Sequence, residues 1–176
     1  MLFGISQNII AQTATDFSKL KIVMIRHGEK PLKGDNLTCQ GLNRSTLLPA
    51  VIKAKFGVPD YVFVPGLGLG ESTKHSRMFQ TIIPLVAKYN LTVNSSHAEK
   101  DADLIAADLK AKNGIVLVCW EHKAIAPIAK ALGINAEGLT WPDDDYDSIW
   151  IVTFKNGATI LTKDKEGLKP SADCSF

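Results

Sequence analysis

Lys21 to Ile25 (KIVMI) is a short apolar run, and it ends at once in Arg26-His27-Gly28-Glu29-Lys30. Such a run, without polar alternation, reads as a strand buried on both faces, as in the interior of a parallel sheet. The charged pentapeptide therefore stands at the carboxyl end of a core strand. In open α/β sheets, ligands bind beyond those ends.

The segments that follow alternate between strand and helix. Gly41 to Lys55 places Leu47, Leu48, Val51, Ile52 and then Phe56 at helical spacing, with Pro49 as a local complication. Tyr61 to Val64 reads as a strand stopped by Pro65-Gly66. Ser76 to Tyr89 reads as a helix with a kink at Pro84. Asp101 to Lys112 carries Leu104, Ile105, Ala107 and Leu109, with acids early and lysines late, as the helix dipole favours. Ile115 to Cys119 (IVLVC) is another continuous apolar strand, and it delivers Trp120-Glu121-His122-Lys123. Ala124 to Leu132 reads as a short helix with Pro127 in its first turn and Gly133 ending it. Ile149 to Phe154, Asn156-Gly157 and Ala158 to Leu161 read as a hairpin. This order predicts an α/β fold: a three-layer α/β/α sandwich with a mostly parallel central sheet and an antiparallel C-terminal hairpin. The domain is expected over residues 21–162, with an N-terminal extension (1–20) and a C-terminal tail (163–176).

Composition narrows the functional class. The chain has 176 residues, 45% hydrophobic and 22% charged, values close to those of soluble domains able to bury a full core. A net charge of +2 and a pI near 8.4 are too mild for a nucleic-acid-binding surface. No run approaches the roughly 18 apolar residues of a membrane span. Cys39, Cys119 and Cys174 are odd in number and lack CxxC spacing, which argues for buried or incidental thiols over a zinc site or disulfide framework. The first fifteen residues carry no side-chain charge, but Ser6, Gln7 and Asn8 interrupt their apolar run. The expectation is a cytoplasmic protein, or a periplasmic or secreted one if residues 1–14 are a truncated signal.

His27 is held by a rigid strand, and Gly28 lets the chain turn and a ligand approach the backbone. Arg26 supplies a planar cation matched to phosphate oxygens. A neutral imidazole can attack phosphorus when its other ring nitrogen is hydrogen-bonded, which fixes the tautomer. A lone histidine after a strand would read as a core residue. The Arg-His-Gly string shifts the balance toward chemistry, because a given tripeptide arises by chance in roughly one of eight thousand windows.

With Arg26-His27-Gly28-Glu29-Lys30, the sequence resembles the histidine phosphatase superfamily, the clan of phosphoglycerate mutases, acid phosphatases and short phosphohistidine phosphatases. Three further elements carry the resemblance, which spans roughly Lys21 to Phe154. Leu37-Thr38-Cys39-Gln40-Gly41 resembles the family's Leu-Thr-x-x-Gly stretch. Arg77-Met78-Phe79-Gln80-Thr81 is similar to its Arg-Ala-x-Gln-Thr element. His122 matches the position of the second active-site histidine.

The resemblance implies that His27 is phosphorylated and that Arg26, Arg77 and His122 surround the phosphoryl group, with no metal and no cofactor. It implies a carboxyl group as proton donor, for which Glu99 is favoured over Glu121, Asp101 and Asp103. Thr38 and Arg44 read as structural. Two departures stand out: Glu121 and Lys123 flank His122 where the family often has Ser or Thr and then Gly, and Ser-Pro is missing before Arg77. The expected activity is hydrolysis of phosphomonoesters through a phosphohistidine; a phosphoglycerate-type mutase and a catalytically silent phospholigand-binding module are the alternatives. The expected partner is a small phosphorylated substrate or a phosphoprotein, with Lys30, Lys33, Lys74, His75 and Lys123 around the mouth. Two stretches lack the spacing of known motifs. Gly66 to Lys74 fails the P-loop pattern and reads as a mobile loop; Asp143-Asp144-Asp145 fails the EF-hand pattern and reads as a solvated turn.

Overall fold

Strand β1 (Lys21–Arg26) pairs on one side with the parallel strand β4 (Ile115–Trp120) and on the other with the antiparallel strand β5 (Ser148–Lys155). These positions come from a computed structural model that describes residues 17–68, 73, 75–135 and 137–174. The N-terminal stretch weighed above as an export signal lies outside the described residues. So do residues 69–72 and 74, which hold much of the glycine-rich loop and Lys74 of the basic ring.

The remaining strands are β2 (Tyr61–Phe63), β3 (Val93–Asn94) and β6 (Ala158–Lys165), and the sheet order is β3-β2-β4-β1-β5-β6. Strands β1 to β4 run parallel, and the β5–β6 hairpin is antiparallel, turning at Asn156 and Gly157, both with positive φ. Strand β3 was not expected; at two residues it is too short to leave a periodic signal.

Among the described residues, four helices cover the sheet: α1 (Cys39–Phe56), α2 (Ser76–Tyr89), α3 (Ala102–Lys110) and α4 (His122–Leu132). Successive residues of β1 point to opposite faces. Val23 and Ile25 pack with Leu48 and Ile52 of α1 and Ile82 and Leu85 of α2. Ile22 and Met24 pack with Ile105 and Leu109 of α3 and Ile125 and Ile128 of α4. Double-sided burial is why the strand shows no alternation in sequence. The core thus lies in two layers, one on each side of the sheet, as the three-layer expectation required.

Helix α2 spans Ser76–Tyr89 with Pro84 inside it, as expected. Helix details differ from expectation in two places. Leu47 and Leu104, counted in the apolar stripes of α1 and α3, are exposed. Helix α4 begins two residues early, so His122 is its first residue and Glu121 its N-cap, with the Glu121 carboxylate accepting from Lys123 N (2.7 Å). Pro127 consequently sits in the second turn.

The cysteine expectation is overturned. Cys39, at the start of α1, forms a disulfide with Cys174, with Cα atoms 5.0 Å apart, and Cys119 remains a buried free thiol. The partners lie 135 residues apart, so spacing could not reveal the pair, and the odd count meant only that one thiol was left over. The tail is tied down nearby: Asn43 Nδ2 donates to the carbonyls of Ser171 and Asp173, each at 2.9 Å.

Candidate active site

His27 follows directly on β1, and its main-chain N–H still bonds to the Trp120 carbonyl of β4 (3.3 Å). This backbone pairing brings the two strand ends together, so His27 and His122 emerge together at the carboxyl ends of the central strands. The His27 ring is 1% exposed, and its Nδ1–H donates to the Gly28 carbonyl at 2.7 Å. That bond leaves the lone pair on Nε2. Burial, then the charges of Arg26, Arg77 and His122, push its pKa down to about 3, against the raising effect of the Gly28 bond. The imidazole is therefore neutral at physiological pH.

The loop after His27 is fixed by both helices on its face. Gly28 N donates to Thr81 Oγ1 (2.8 Å), which donates in turn to the Arg77 carbonyl (2.7 Å). Gly28 also lies against α1: a Cβ there would meet the Gly41 carbonyl at 2.8 Å, and a Cβ on Gly41 would collide with the Glu29 backbone. Gly28 is thus required by close helix packing. Thr38 caps α1, accepting from Gly41 N (3.1 Å), and its own N–H bonds to the Glu29 carbonyl (2.9 Å). Gln80 accepts from Leu37 N (2.9 Å) and donates to Asn36 Oδ1 (2.7 Å). The Leu-Thr-x-x-Gly and Gln-Thr elements are accordingly braces for the histidine loop.

The two arginines share one arrangement. Arg26 Nη1 donates to the carbonyls of Asp143 (2.6 Å), Asp145 (3.3 Å) and Pro142 (3.4 Å), and its guanidinium stands 3.8 Å from the Tyr146 ring centroid. Arg77, in the first turn of α2, donates from Nη1 to the Gly34 carbonyl (3.2 Å). In both, Nε is buried and has no hydrogen-bond partner among the described residues. Each guanidinium is anchored at one corner and keeps a donor unmet.

His122 Nε2 donates to Asp143 Oδ1 at 2.6 Å. On the other side of the ring, Glu121 Oε1 stands 2.5 Å from Nδ1 but off the hydrogen-bonding line. Glu99 pairs with His75 Nδ1 (2.8 Å), and its carbonyl accepts from Trp120 Nε1 (2.8 Å). Glu99, Glu121 and Lys123 line one cleft of about 170 Å³ beside α4. Asp101 and Asp103 lie at the start of α3, and Lys30 and Lys33 lie on the loop after the Arg-His-Gly motif. His75, expected on the basic mouth, is engaged by Glu99. Trp120 and Trp141 are core residues.

The structure brings His27, Arg26, Arg77 and His122 together and leaves Glu99 on the rim. The segment between α4 and β5 also contributes to the site, and no motif in the sequence marks it. The Asp143-Asp144-Asp145 run is no plain solvated turn: the Asp143 carboxylate and carbonyl bind His122 and Arg26, and Asp145 accepts from Ser148 Oγ (2.5 Å) and from the N–H groups of Asp147 (3.0 Å) and Ser148 (2.9 Å). One sign was available. A hairpin strand antiparallel to β1 starts where β1 ends, so the residues before β5 must lie over the site.

No sequence-family model matches the chain, and no curated protein matches it in sequence. Solved structures do match. Mycobacterial glucosyl-3-phosphoglycerate phosphatase, in complex with inorganic phosphate, is 15% identical over 82% of this chain and 95% of that one, with a TM-score of 0.58. Phosphoserine phosphatase from Entamoeba histolytica, with 3-phosphoglyceric acid, is 15% identical over 85% and 98%, at 0.54. Alpha-ribazole phosphatase from Shigella flexneri is 13% identical over 81% and 95%, also at 0.54. These structures belong to the histidine phosphatase superfamily, and this chain has their fold.

Proposed function

We propose that the protein is a histidine-type phosphatase that hydrolyses phosphomonoesters, on a small molecule or a phosphoprotein, through a phosphohistidine on His27. The observation that carries this reading is the pair of buried, unmet Nε donors on Arg26 and Arg77 around a neutral His27 with Nδ1 already committed. Buried donors without acceptors are costly, and a phosphoryl group supplies the acceptors.

In the first step, His27 Nε2 attacks phosphorus, a P–N bond forms and the ester P–O bond breaks. The leaving oxygen takes a proton from a carboxyl group on the rim, Glu99 or Glu121. In the second step water attacks phosphorus and gives a proton to the rim carboxylate, which restores the acid; the P–N bond breaks, its electron pair returns to His27 Nε2, and inorganic phosphate leaves. Arg26 and Arg77 hold the equatorial oxygens in both steps with His122 beside them, and this preorganised charge supplies most of the catalysis. No step is assigned to a metal.

The test is turnover of an aryl phosphate by wild type and His27→Ala, each with and without chelator. The expected result is phosphate release that chelator does not change and that His27→Ala abolishes, with an acid-labile, base-stable phosphate on the wild-type protein. Full activity in His27→Ala rejects the mechanism. Isomerisation of a phosphoglycerate without release would favour the mutase alternative. Since His27 has a pKa of about 3, the acid limb of kcat/KM is expected to show no step near 6.5 from this residue. The Cys39–Cys174 disulfide supports an oxidising compartment, the periplasmic or secreted alternative, because such bonds persist there.

A further inference from the structure

We propose that Asp143 is a positioning residue of the phosphoryl-transfer site: its carboxylate orients the His122 imidazole, while its main-chain carbonyl aims the Arg26 guanidinium. The inference rests on the phosphatase reading and deepens it.

His122 opens α4, and its ring could turn about the Cβ–Cγ bond and present either nitrogen to the site. The neighbouring Glu121 does not choose between them: its carboxylate caps the helix through Lys123 N and meets His122 Nδ1 off line. The Asp143 bond to Nε2, at 2.6 Å, makes the choice. The side chain of Asp143 is 80% exposed, so little packing holds it there. Its carboxyl pKa is lowered, first by the His122 bond and then by Lys123, so it remains an ionised acceptor. The same residue accepts from Arg26 Nη1 through its carbonyl, also at 2.6 Å. One residue between α4 and β5 therefore links the ends of β4 and β1.

The side chain and the carbonyl can be separated by mutation, because Asp143→Ala removes only the carboxylate. An exposed substitution of this kind changes stability little. Partners that orient a functional histidine in metal sites are worth about tenfold to a hundredfold in activity. Asp143→Ala is therefore expected to lower kcat on an aryl phosphate by about that factor, with a smaller change in KM and an unchanged melting temperature. Asp143→Asn, whose amide oxygen can still accept from Nε2–H, is expected to recover most of the rate. The ring-nitrogen resonances of His122 should shift in Asp143→Ala and stay near wild type in Asp143→Asn. Wild-type kcat in Asp143→Ala overturns the proposal, and so does a rate loss that leaves the His122 resonances in place. If His27→Ala remains fully active, the phosphatase mechanism fails; the resonances of His122 still decide whether Asp143 holds that ring.

Discussion

Arg26 and Arg44 are both buried cations, yet their surroundings are opposite. Arg44, on α1, has more acceptors than it needs. Glu29 takes its Nε and Nη2, Glu166 lies 2.5 Å from Nη1, and Asp147 stands at 3.6 Å. Against the lowering effect of burial, Glu29 and Glu166 raise the arginine pKa, while burial still pushes the Glu166 carboxyl up to about 7. Among the described residues, Arg26 and Arg77 donate their hydrogen bonds to main-chain carbonyls and not to carboxylates, and each keeps Nε unmet. A cation saturated by its own chain joins elements; here it clamps α1, the histidine loop and the end of β6. A cation with donors to spare holds an anion from outside the chain. Glu29, the fourth residue of the Arg-His-Gly-Glu string, thus belongs to the clamp.

The largest expected effect breaks the clamp. Arg44→Ala leaves Glu29 and Glu166 without their cation and is expected to lower stability by about 3–5 kcal/mol, read from the urea midpoint. Arg77→Ala should do the reverse. Its turnover is expected to fall roughly a hundredfold to a thousandfold while its urea midpoint stays within error of wild type. If Arg77→Ala unfolds the protein and Arg44→Ala mainly slows it, the contrast is wrong. Cys174→Ser frees the tail that lies beside α1 and is expected to cost about 2–4 kcal/mol, with activity retained below the new melting point.

The smallest effect sharpens the contrast through pH. The folded Glu166 carboxyl titrates at about 7 against 4.5 for the ordinary group, so between those values the folded chain binds more protons than the unfolded one. Its contribution to stability is therefore greatest below about 4.5 and is lost as pH rises to about 7. Melting temperatures from pH 5 to 8 should show this decline in wild type, and Glu166→Gln should flatten it.

Much of this was legible in sequence because local physics suffices for it. Short β-branched runs such as KIVMI and IVLVC favour doubly buried strands, and Asn156-Gly157 favours a tight hairpin turn. The four family-like elements name His27, Arg26, Arg77 and His122, and the structure brings the last three close enough to His27 to act on its charge, at the carboxyl end of the parallel strands. What stayed hidden depends on partners far along the chain. The roles of Gly41 and Thr81 are contacts to Gly28, 13 and 53 residues away, and neither has a periodic signature.

The sequence alone determined the order of elements and the chemistry of the strand ends, because apolar period, turn residues and side-chain type are local properties. Only the tertiary structure decided which donors are spent and which are spare, that Cys39 meets Cys174, and that Asp143 reaches both His122 and Arg26. Those outcomes depend on which distant backbone groups are brought to each side chain, and the sheet order sets that.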